Sequence, residues 1–115
     1  RGFLYLEKKE YEQAVKDFNH AIELDNKIAW SYQGRGVAFL AKHDTKHAIT
    51  DFTRALELEP TLARAHLNRG LAFLLEGKED EAKKDFDACL SLRPDLSREV
   101  QDRAQLAREL RTKPK

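Results

Sequence analysis

Apolar residues return at helical spacing from Ala29 to Ala41, which places Tyr32, Gly36 and Phe39 on one stripe. The stripe breaks at His43-Asp44, where Asp44 has the short acceptor side chain that suits an N-cap. A second helical pattern runs from about Thr45 to Leu58, with Ala48, Ile49, Phe52, Ala55 and Leu56 facing inward, and Pro60 stops it. The same two-helix pattern follows over about Leu62 to Leu75 and Glu79 to Leu92. Its turn carries Gly77, which suits a left-handed residue after a helix; the corresponding residues are Lys9 and His43, so a small backbone strain is expected there.

The pattern repeats with a period of 34 residues. Asn26, Pro60 and Pro94 stand one period apart, as do Gly2, Gly36 and Gly70. Ala14, Ala48 and Ala82 keep the same step, and so do Phe18, Phe52 and Phe86. Tyr5, Phe39 and Phe73 form an aromatic column, and Ala21, Ala55 and Cys89 a column of small residues. Antiparallel helices approach closely only where one lacks a bulky side chain, which is the physical use of the glycine and alanine columns. One helix pair cannot bury its apolar face alone, so pairs are expected to stack into a solenoid.

These columns resemble the tetratricopeptide repeat family. Tyr32, Gly36, Phe39, Ala48, Phe52 and Pro60 follow its pattern in order; His66, Gly70, Phe73, Ala82, Phe86 and Pro94 follow it again. The resemblance covers nearly the whole chain and implies an all-α fold: a right-handed superhelix of antiparallel helix pairs. It divides the chain into a partial repeat over 1–26, with its first helix cut at Arg1, full repeats over 27–60 and 61–94, and a capping helix with tail over 95–115. The second helix of the partial repeat is expected over about Tyr11 to Leu24, and the charged segment Ser97 to Arg111 reads as the solvated cap. One departure recurs: Arg1, Arg35 and Arg69 replace the leucine before the glycine, and Asp17, Asp51 and Asp85 follow each by sixteen residues. This spacing predicts an Arg–Asp pair joining the two helices of each repeat.

Composition narrows the function. Lys plus Arg number 21 and Asp plus Glu 20, so a net charge of +1 gives no reason to expect nucleic acid or an anionic membrane as partner. No apolar run approaches the roughly 18–20 residues of a membrane span, and no segment reads as a signal peptide. The single cysteine cannot form an internal disulfide, which is compatible with a cytoplasmic location. With no methionine anywhere, the chain reads as part of a longer protein.

Enzyme chemistry finds little support. His43 and His47 are four apart but lack a third ligand, so no metal is expected. Cys89 sits in a buried column with nothing basic to activate it. Gly34-Arg35-Gly36 lies inside a helix and lacks the third glycine of a nucleotide-binding loop. No catalytic residue and no cofactor is expected.

The resemblance implies that the first helix of each repeat lines a concave groove that binds a peptide or helix of a partner protein. The residues expected there are Phe3, Leu6, Trp30, Gln33, Val37, Arg64, Leu67, Asn68, Leu71 and Arg98, with Gly34, Leu40, Ala41, Leu75, Gln101 and Asp102 beside them. Trp30 is the expected anchor. Co-chaperone members of the family clamp C-terminal carboxylates with Lys, Asn, Asn, Lys and Arg. Those places hold Gln33, Val37, Asn68, Arg98 and Asp102 here, and Asp102 would repel a carboxylate. A protein-interaction module of a different preference is therefore expected. A self-associating scaffold, or a regulatory or co-chaperone domain of a larger protein, is the alternative.

Overall fold

The computed structural model describes residues 2–112, with side chains described for residues 9–111. Helices α1 (Gly2–Leu24), α2 (Ala29–Ala41), α3 (Thr45–Leu58), α4 (Ala63–Leu75) and α5 (Glu79–Leu92) follow in order. A 3-10 turn, Pro94–Leu96, leads into α6 (Ser97–Thr112). The chain is an all-α solenoid in which each helix from α1 to α5 packs on the next, and α6 returns to cover α4.

The turns between paired helices follow their local chemistry. His43 takes φ 67 and Gly77 φ 79, the left-handed conformation that ends α2 and α4. Asp44 then accepts from the His47 backbone N–H at 3.3 Å and caps α3. The same turn was expected near Lys9, but α1 runs through it as one continuous helix. Lys9 would carry the steric cost of the left-handed conformation without compensation. Glu10, with its longer side chain, does not replace Asp44 as a cap, and the run Glu7-Lys8-Lys9-Glu10 favours helix intrinsically.

The glycine column works by close approach. A Cβ on Gly36 would come within 2.7 Å of the Phe52 ring, and one on Gly70 within 2.6 Å of Phe86. Each ring therefore seats directly on the backbone of the neighbouring helix. Gly34 receives the Phe18 ring of α1 in the same way, so it is filled by packing and does not face an open groove. All three residues of Gly34-Arg35-Gly36 are thus used internally.

Two apolar clusters carry the core. Ala29, Tyr32, Ala55, Leu56, Leu62 and Ala65 join α2, α3 and α4. Leu67, Leu71, Leu74, Phe86, Cys89, Leu96 and Val100 join α4, α5 and α6. Cys89 is fully buried, and burial pushes its thiol up from the ordinary value, which keeps it protonated and inert.

The expected Arg–Asp pairs form in both complete repeats. Arg35 Nε and Nη2 donate to Asp51 at 2.8 Å each. Arg69 Nε and Nη2 donate to Asp85 at 2.8 and 2.7 Å. Each arginine also reaches the preceding repeat: Arg35 Nη1 donates to Asn19 at 2.8 Å and Arg69 Nη1 to Thr53 at 3.1 Å. One guanidinium therefore ties three helices, and its planar five-donor fork is what makes this possible. The Arg1–Asp17 pair, Phe3, Leu6 and the expected tail after residue 111 lie outside the described side chains.

Asp85 gains a further donor, His66 Nδ1, at 3.1 Å. Burial alone would push its carboxyl up, but the hydrogen bonds from His66 and Arg69 outweigh that and hold it below the ordinary 3.8. A carboxylate held lower in the folded state adds stability that is complete above the ordinary value and is lost as pH falls through the lower one. Acid titration of unfolding should therefore show stability falling below about pH 4, with a smaller fall in Asp85→Asn. Equal acid sensitivity in the two proteins would assign the effect elsewhere.

Candidate functional site

The concave side is built by the last turns of α2 and the second halves of α4 and α6. Val37, Leu40 and Ala41 form one wall, and Asn68, Leu71 and Leu75 the floor. Arg103, Leu106, Ala107, Leu110 and Arg111 form the other wall, and the turn residue His43 with Thr45 closes the end. The groove encloses about 630 Å³, within the range of about 300–1,000 Å³ typical of small ligand sites. Thr45 Oγ1 donates to Glu76 at 2.8 Å, which fixes that end between α3 and α4.

The apolar character is exposed. Val37 is 43%, Leu106 56% and Leu110 53% accessible. Leu106 and Leu110 stand one helical turn apart, so their side chains share a face. The buried stripe of α6 is a different one, formed by Val100, Ala104 and Ala107. Small residues there let α6 lie close on α4, and that placement turns the two leucines toward Val37 across the groove.

The expected site residues divide. Val37, Asn68 and Leu71 line the groove. Trp30 is 61% exposed, two turns before Val37 on the same helix, so it stands on the same stripe but outside the groove lining. Leu67 is only 1% exposed and belongs to the packing of α4 on α5 and α6. Gln33, at 6%, is buried, and its Oε1 has no hydrogen-bond partner. Both were expected on the groove surface; neighbouring helices cover them instead. Arg64 donates from both Nη atoms to Glu99 of α6 at 2.9 and 3.2 Å, which ties the start of α6 to α4. Arg98 is exposed and outside the groove lining. Leu106 and Leu110 were missed. Their signal was an apolar pair one turn apart, off the main stripe of a helix read as a solvated cap.

Among the described residues, no group of His, Cys, Asp or Glu could hold a metal, and no helix is long and apolar enough to cross a membrane. His47 is occupied otherwise: its Nδ1 lies 2.8 Å from Asp44, and its ring is 5.1 Å from that of Phe39.

Two family models match the sequence. One described as "TPR repeat" covers residues 2–43, and one described as "Tetratricopeptide repeat" covers 63–96. No curated protein sequence matches. Solved structures do. The OM64 TPR domain of Arabidopsis is 28% identical over 92% of this chain and 89% of its own, with a TM-score of 0.78. The second TPR domain of human RPAP3, in complex with the HSP70 peptide SGPTIEEVD, is 28% identical over 99% of this chain and 91% of its own, with a TM-score of 0.75. The TPR2B domain of yeast Sti1, in a complex with pHsp70, is 23% identical over 96% of this chain and 92% of its own; its TM-score of 0.80 is a likeness of fold.

Proposed function

We propose, for a chain that belongs to the tetratricopeptide repeat family, that it is a protein-interaction module holding a peptide segment of a partner protein in its concave groove. The observation that carries this reading is the exposed trio Val37, Leu106 and Leu110 facing one groove from two helices. Apolar side chains in a concave, partly covered setting gain by burying a partner's side chains. Similarity to a domain solved with an HSP70 peptide supports a peptide as the ligand type. The proposed role is binding without catalysis, since Cys89 is buried and His47 is engaged with Asp44, and the proposed location is the cytoplasm, where a single unpaired cysteine stays reduced.

The test is selection of peptides from a displayed random library, followed by titration of each into wild type and into Val37→Glu/Leu110→Glu. Both positions are exposed, so the double variant should fold, as circular dichroism would verify. Loss of binding by about tenfold or more is expected, because docking an apolar side chain on the introduced carboxylates would strip them of their hydration. Selected peptides that bind both proteins equally would remove the groove from the account.

A further inference from the structure

The groove is apolar along its centre but not at its two ends on α6. Arg103 and Arg111 both line it, and none of its lining residues is an aspartate or glutamate. Eight residues separate them, which is about 12 Å along a helix at ~1.5 Å per residue. Leu106 and Leu110 lie between them. The groove wall is thus a cation, an apolar stretch and a second cation, in a line.

Both arginines already have a carboxylate nearby, outside the groove. Arg103 Nε lies 3.1 Å from Glu99, and Arg111 Nη2 lies 3.5 Å from Glu79. Glu99 is shared, since Arg64 takes both of its oxygens. A guanidinium has five N–H donors, so one such contact leaves others to offer. These pairs are partly exposed single contacts of modest strength.

Resting on the reading of this groove as a peptide site, we propose that its occupant is an internal, extended segment with an apolar side chain flanked by two carboxylates, in the order acid–x–apolar–x–acid. In an extended chain, side chains at positions one, three and five share a face. Positions one and five stand about 13 Å apart at ~3.3 Å per residue. That distance matches the span from Arg103 to Arg111, and it places the central apolar side chain against Leu106 and Leu110. The recognition differs from capture of a chain terminus: two carboxylates are read at a set separation and no free C-terminus is required.

The probes are fluorescein-labelled peptides, acetylated and amidated, with the cores Glu-Ser-Leu-Ser-Glu, Lys-Ser-Leu-Ser-Lys and Glu-Ser-Ser-Ser-Glu, titrated by anisotropy. The acidic leucine peptide should bind about tenfold or more tighter than either comparator, the lysine peptide having exchanged two charge attractions for repulsions and the serine peptide having lost the apolar contact. Added salt should weaken it and leave the lysine peptide little changed or improved. Arg103→Gln/Arg111→Gln, checked by circular dichroism, should abolish the preference for acid over lysine. Equal affinity for the acidic and lysine peptides, or no binding of the amidated acidic peptide, would each overturn the proposal. Leu106→Ser separates the two levels. If it abolishes binding of both leucine peptides while charge makes no difference, the groove reading stands and the acidic occupant falls. If binding survives Leu106→Ser undiminished, the groove reading falls as well.

Discussion

Asp85→Ala should lower the unfolding free energy by about 3–5 kcal/mol, read from urea denaturation followed by circular dichroism. Asp85 is 3% exposed and accepts from Arg69 twice and from His66 once. Alanine removes every one of these acceptors and leaves a largely buried guanidinium with Thr53 as its hydrogen-bond partner and the Phe73 ring beside it. A group held this way contributes little net energy as a pair, because both charges were taken out of water. Removing one member alone exposes the full desolvation cost of the other. Against a typical total of about 5–15 kcal/mol, such a loss would bring the domain close to unfolding. The double variant Arg69→Leu/Asp85→Ala should recover much of it, since no uncompensated charge remains. A loss below about 1 kcal/mol in Asp85→Ala would put the pair with ordinary surface ion pairs and remove its structural role.

Phe52→Ala should cost a similar amount, about 3–5 kcal/mol, by the cavity it leaves. The ring is completely buried and lies against the backbone of Gly36. Gly36→Ala by itself should cost about 1–3 kcal/mol, because its methyl would meet the ring edge at an impossible distance. Combining the two should cost less than their sum, since removing the ring opens the space that the methyl needs. Thermal melts of the four proteins close this cycle. Strict additivity would mean that ring and glycine do not share one site, contrary to the packing seen at Gly36 and repeated at Gly70 with Phe86.

Much of this architecture was legible from spacing. The period of 34 residues located α2 to α5, with three of the four helices bounded as expected and the start of α4 displaced by one residue. It did so because helix starts and stops rest on local chemistry: Asp44 as a cap, left-handed His43 and Gly77, and the prolines after the second helices. The Arg–Asp pairs of the two complete repeats were also legible, since a residue repeated in phase with a complementary partner sixteen positions on meets it in the same way in each. The groove was less so. A stripe on a helical wheel spans a wide angle, and Leu67 and Leu71 both fall within it. Both are buried, Leu67 at 1% and Leu71 at 7% exposed, and only the packing of α4 against α5 and α6 leaves an edge of Leu71 at the groove floor.

The sequence by itself determined the repeat, the all-α class, the helix pairs and the ion pairs that join them, because each depends on residues interacting at short or regular separations. Tertiary structure decided the rest. It placed Phe18 on Gly34 and removed that glycine from the groove. It also turned Leu106 and Leu110 toward Val37, since the rotation of α6 follows from how closely Ala104 and Ala107 let it approach α4. That rotation is a property of two surfaces fitted together, and no periodicity along one helix contains it.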